Sequence, residues 1–127
     1  MLREEITGAI IKAFYTVYNA LGYGFLEKVY ENALVHELAE QGLRVRQQMP
    51  IQVYYDGISV GEYFADLAVE DCVIVELKAA ESLRPEHTAQ LINYLKATDV
   101  EVGLLLNFGP KPAFARKIFT NDRKKRD

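Results

Sequence analysis

Asp66, followed ten residues later by Glu76-Leu77-Lys78 at the end of an apolar run, supplies the residue types that hold a hard cation and a phosphate. Phe64-Ala65-Asp66-Leu67-Ala68-Val69, the charged pair Glu70-Asp71 and Cys72-Val73-Ile74-Val75-Glu76-Leu77-Lys78 read as two strands joined by a tight turn. Side chains alternate faces along a strand, so Glu76 and Lys78 project from one side. Pairing about the turn brings Asp66 across the ladder from that side, which gathers two carboxylates and an ammonium at one spot.

A plainer reading stands beside this one, because Glu-x-Lys with an upstream Asp occurs by chance and cross-strand ion pairs are common on solvated sheet faces. Position weighs against it. Val73, Ile74 and Val75 show no polar alternation, the pattern of a strand covered on both faces. Charges at the end of such a strand need metal coordination or mutual pairing, since leaving them unpaired is costly.

The elements that must position these residues follow from periodicity. Ile6, Ile10, Phe14, Val17 and Leu21 recur at helical spacing, which predicts an amphipathic helix over residues 4 to 21, ended by Gly22-Tyr23-Gly24. A second helix is expected over 26 to 41, with Val29, Ala33, Leu34 and Leu38 apolar and Gly42 as its stop. Residues 44 to 55 read as a strand, Asp56-Gly57 as a hairpin turn, and 58 to 69 as the strand that carries Asp66. Pro85 opens a helix over 84 to 98 with Leu91, Ile92 and Leu95 on its apolar side. A strand at 102 to 107 is punctuated by Gly109-Pro110, and residues 112 to 119 are expected to form a short closing helix around Phe114, Ile118 and Phe119. The expected order is ααβββαβα.

At 127 residues, half of them hydrophobic and about a quarter charged, the chain is expected to fold as one domain over residues 1 to 120 with a basic tail at 121 to 127. That tail reads as solvated and frayed. No apolar run approaches the roughly 20 residues a bilayer requires, and the start Met1-Leu2-Arg3-Glu4-Glu5 does not read as a signal peptide. The single cysteine, Cys72, cannot form an internal disulfide, reads as an apolar filler and fits a reducing cytoplasm. A net charge of −3 argues against coating nucleic acid by bulk attraction. A local patch drawn from Arg44, Arg46, Lys78, Arg84, Lys96 and the cations from Lys111 to Arg126 remains available.

An order of helix, three-stranded meander, helix and strand, with Asp on the second strand and Glu-x-Lys on the third, resembles the PD-(D/E)XK nuclease superfamily. More narrowly, Gly24-Phe25-Leu26-Glu27-Lys28-Val29-Tyr30 resembles the GxxExxY pattern of a family within it, and Gly103-Leu104-Leu105-Leu106-Asn107-Phe108-Gly109 is similar to that family's ending. The proline that usually precedes the Asp is replaced by Ala65. The resemblance implies an α/β, restriction-endonuclease-like core with a central mixed four-stranded sheet flanked by helices. It also implies a magnesium-dependent nuclease, manganese substituting, that hydrolyses phosphodiester bonds of nucleic acid, DNA foremost.

By resemblance, Asp66, Glu76 and the backbone carbonyl of Leu77 are the metal ligands. Magnesium's preference for oxygen and for only one or two carboxylates agrees. Lys78 would orient the attacking water and stabilise charge on the phosphoryl oxygens; its plainer role is to neutralise Glu76. A helical Glu ahead of the sheet completes the site in superfamily members, which makes Glu27 a candidate, though a carboxylate in a first helical turn is also favoured by the helix dipole. Tyr30, three residues on, either hydrogen-bonds a carboxylate or phosphate or is a half-buried core aromatic. His87, Gln90 and Tyr94 share a stripe, and Gln90-Leu91-Ile92-Asn93-Tyr94 resembles the QxxxY motif of RecB-type nucleases, in which Gln positions the metal shell or substrate and Tyr lies near nucleic acid. His36 and His87 carry no such implication, and Gly24 reads as a turn residue. Two functions stay open: a nuclease, or an accessory module that binds nucleic acid or protein on the same fold without turnover. Either is compatible with a homodimer.

Overall fold

Helix α1 (Glu4–Leu21) buries Ile10, Ala13, Phe14 and Val17 along one side, and α2 (Glu27–Glu40) buries Tyr30, Leu34 and Leu38. In the computed structural model, which describes residues 2–125, both lie on one face of a five-stranded sheet. Its strands are β1 (Val45–Tyr55), β2 (Ile58–Val69), β3 (Val73–Lys78), β4 (Val102–Phe108) and β5 (Pro112–Ile118), in spatial order β1-β2-β3-β4-β5. Neighbours are antiparallel except β3 and β4, which run parallel because α3 (Pro85–Lys96) crosses between them. Helix α3 covers the opposite face, packing Leu91, Tyr94 and Leu95 on Ile74 and Leu105. Strands β3 and β4 are therefore covered on both sides, as their unbroken apolar runs require.

Two tight turns set the meander. Asp56 and Gly57 both take positive φ, 52° and 74°, and join β1 to β2. Glu70 and Asp71 do the same at 51° and 53°, with the Cys72 N–H donating to the Val69 carbonyl at 3.0 Å. Cys72 packs half-buried against the α1–α2 side of the core. Where α3 crosses β4 the fit is close: a Cβ on Gly103 would lie 2.7 Å from Leu91 Cδ1.

Two expectations are corrected. Residues 112 to 118 form an edge strand and not a closing helix, so the sheet has five strands and not four. Phe114, Arg116 and Ile118 alternate with Ala115 and Lys117, and a full antiparallel register satisfies the outer edge of β4, which an isolated two-turn helix would leave open. The tail is not frayed over its described part. A 3-10 turn, Asn121–Arg123, follows β5, the Arg123 guanidinium lies 4.5 Å from the Phe119 ring, and Lys124 donates to the carbonyls of Thr98 and Val100. Arg126 and Asp127 lie outside the described residues. Among those described, no helix is long and apolar enough to cross a membrane.

Candidate active site

The β2–β3 ladder runs from Val69↔Val73 to Leu67↔Val75 and stops one pair short of Asp66 and Glu76. At that point side chains take over the backbone's hydrogen bonds. The Asp66 N–H donates to Glu76 Oε2 at 2.7 Å, and the Leu77 N–H donates to Asp66 Oδ2 at 2.8 Å. Each carboxylate thus uses one oxygen to hold the other's strand.

The strands part because β1 and β2 twist together at the same level. Gln48, opposite Asp66 and between the pairs Gln47↔Leu67 and Met49↔Ala65, has φ of 54°. Leu67 belongs to the core under α1 and α2, while Ala65, two residues earlier, belongs to the core under α3. An uninterrupted strand would keep both on one face. Beyond this twist β1 and β2 continue as a two-stranded arm, and Asp66 sits at its root.

Burial and mutual repulsion shape the electrostatics. Glu76 is 5% exposed, and burial, reinforced by Asp66, pushes its carboxyl up to about 8. Asp66 is also raised, mainly by burial and against the Leu77 N–H bond. Glu27 stands at the rim with solvent on one side and is raised too, by desolvation and by Asp66, with Lys78 opposing. Lys78, at the end of β3, directs its Nζ to Gln90 Oε1 at 3.5 Å. Three carboxylates against one ammonium leave the cluster short of positive charge, the chemistry that a divalent cation meets. Among the described residues no three His, Cys, Asp or Glu side chains form a ready-made cage. A pair of carboxylates nonetheless fits magnesium, which keeps water and substrate phosphate in its other positions.

The structure brings Glu27, Asp66, Glu76, Lys78, Gln90 and Tyr94 to one end of the sheet. Tyr94 is buried against Tyr63, hydrogen-bonded with Gln90, and held up to about 12 by burial and then by Glu76 and Asp66. Tyr30 is placed otherwise. Its ring is fully buried and stacked on Phe108 with centroids 4.3 Å apart. Its hydroxyl donates to the Gly22 carbonyl at 2.7 Å and accepts the Phe25 N–H at 3.2 Å. Of the two readings open for Tyr30, the packing favours the core aromatic. With Gly24 at φ 111° it ties down the loop that delivers Glu27.

Two residues near the carboxylates escaped the sequence reading. Glu31, one turn after Glu27 and therefore on its face, is buried and accepts from Lys28, Gln47 and Gln48. The i,i+4 spacing of Glu27 and Glu31 was the available signal. Gln48 also hydrogen-bonds Asp66, and nothing local in the sequence marks it. His87 caps α3, its Nδ1 accepting the Arg84 N–H at 3.1 Å. The candidate basic patch is dispersed: Arg44 pairs with Glu70, Arg46 with Asp71, and Arg116 bonds the Leu2 carbonyl and Thr7.

This fold corresponds to a known class. The family model of the PD-(D/E)XK nuclease superfamily matches residues 4–118, and the chain belongs to that superfamily. Among solved structures it is similar to one titled "Crystal structure of SSO0001", with a TM-score of 0.54 and 18% identity over 76% of this chain and 52% of that one. The chain thus spans about half the length of that structure, and the likeness is one of fold. No curated protein matches it. Members of the superfamily generally use divalent metals and act on nucleic acid.

Proposed function

We propose that the chain is a divalent-metal-dependent phosphodiesterase acting on nucleic acid, DNA foremost, with magnesium as the working ion and manganese as a substitute. The observation that carries the reading is the reciprocal pair Asp66 and Glu76 where the β2–β3 ladder opens, with three carboxyl groups raised together beside one lysine. Asp66, Glu76 and the Leu77 carbonyl would hold the cation, and Glu27 at the rim would complete the set, directly or through a water. Bound there, the ion would supply Lewis acidity at the scissile phosphate and ease proton loss from the attacking water.

Lys78 orients that water and offsets charge that builds on the phosphoryl oxygens. Gln90 fixes the Lys78 ammonium, and Tyr94 closes the far side of the cluster. We read Gly24, Glu27 and Tyr30 as the GxxExxY motif, with a physical role for each position. Gly24 permits the turn, Tyr30 pins it, and Glu27 is the residue so presented.

Manganese binding followed by electron paramagnetic resonance, wild type against Asp66→Ala, tests the site without a guess at the substrate. Binding that disappears in Asp66→Ala while circular dichroism is unchanged, with oligonucleotide cleavage lost in Lys78→Ala, is the expected result. Equal binding in both proteins, or none even with a short oligonucleotide present, would favour an accessory module that keeps the fold without turnover.

A further inference from the structure

Beyond the twist at Asp66, the arm of β1 and β2 leans over α3 and encloses an open cleft of about 1160 Å³. The volume exceeds the roughly 300–1,000 Å³ typical of a pocket for one small molecule. Tyr55, Tyr63 and Tyr94 line it, with the amides of Gln90 and Asn93 and the ammonium of Lys96. Tyr55 is 69% exposed and Tyr63, whose ring packs at 5.8 Å from that of Tyr94, 49%, so both rings keep a face open to solvent. The cleft is continuous with the cluster described above: Gln90, which lines it, also meets Lys78. Its cations Lys96 and Lys125 are matched by Glu86 and Asp99. A duplex held by its phosphates needs a surplus of cations that neither this wall nor the net charge of −3 provides. Rings that stack on bases and amides that bond their edges need no such surplus.

We propose that the cleft between the β1–β2 arm and α3 receives unpaired nucleotides, stacked on Tyr55 and Tyr63, and leads a single strand to the phosphate beside Lys78. The assignment rests on the phosphodiesterase reading and adds its substrate class: single-stranded or locally unpaired nucleic acid.

The chain has eight tyrosines and no tryptophan, so stacking can be read directly as quenching of tyrosine emission. An oligothymidylate octamer and a hairpin duplex of equal length are titrated in chelator, which removes cleavage from the measurement. The octamer should bind at least about tenfold more tightly than the duplex and quench the emission. Tyr55→Ala and Tyr63→Ala should each weaken it about tenfold, a change within the range for loss of one stacked base. Tyr55→Phe and Tyr63→Phe, which keep the rings, should retain binding and so separate stacking from misfolding. The logarithm of affinity should fall with that of salt at a slope near −1.4, for two phosphates at about −0.7 each.

Duplex bound as tightly as the octamer, or octamer binding indifferent to both alanine variants, overturns the proposal. So does a concentration-dependent dimer lost in Tyr55→Ala without octamer binding, which would put a second copy of the chain on the arm. Octamer binding as described with no cleavage in magnesium or manganese defeats the phosphodiesterase reading and leaves the cleft assignment standing. Cleavage of duplex without tyrosine quenching does the reverse.

Discussion

Glu76 is a carboxyl group whose neutral form the fold favours and whose charged form the unfolded chain favours. Between about pH 4.5 and about 8 the folded state therefore keeps a proton that the unfolded chain has lost. The stability this contributes is fully present below the lower value and is lost as pH rises through the upper one. Glu76→Gln removes the titration while its amide oxygen can still accept the Asp66 N–H. Thermal midpoints measured across that window should fall less with pH in the variant than in the wild type, leaving Glu76→Gln the more stable near pH 8. Asp66 and Glu27, shifted the same way, account for a residual slope. Parallel curves for the two proteins would mean that Glu76 is not the titrating group. Lys78→Ala belongs to the same scale: cleavage should drop by roughly 10²–10³, the size of one lost transition-state donor, with the melting temperature little changed.

Elements hold the cluster through contacts outside it. Asn107 near the end of β4 is buried and clamps the chain just past Lys78, accepting the Ala80 N–H at 2.9 Å and donating to the Ala80 carbonyl at 3.0 Å. Gly109 allows that approach, since a Cβ there would run into the Ala80 carbonyl. Asn107→Ala should cost about 1–3 kcal/mol for each group left without a partner, read as a lower urea midpoint, and should slow cleavage by loosening the end of β3. Gly103→Ala tests the crossing of α3 over β4. Its methyl meets Leu91, and overpacking of this kind costs about 1–3 kcal/mol. An unchanged urea midpoint in Gly103→Ala would show that α3 can lift without loss. At this scale β5 is the instructive case. Phe114 and Ile118 fit a helical face as well as an alternating one over so short a stretch, and the open edge of β4 decides between them.

In the whole molecule, metal and proton compete for the same carboxylates. Manganese should therefore raise the melting temperature, and the rise should be larger at about pH 8 than at about pH 5, because less proton has to be displaced. Equal shifts at both values, or a shift that survives in Asp66→Ala, would locate the ion elsewhere. The sequence by itself determined three helices, four of the five strands and both meander turns. Each follows from a local period of apolar residues closed by a turn pair such as Asp56-Gly57, and such signals need no distant partner. It also determined that Asp66, Glu76 and Lys78 share a neighbourhood, because a short turn fixes the register between adjacent strands. Only the tertiary structure decided that Tyr30 lies in the core, that Glu31 and Gln48 stand behind Asp66, that residues 112 to 118 pair with β4, and that the arm overhangs α3. These depend on contacts between residues far apart in the chain and on a twist at Gln48. Neither leaves a period in the local sequence.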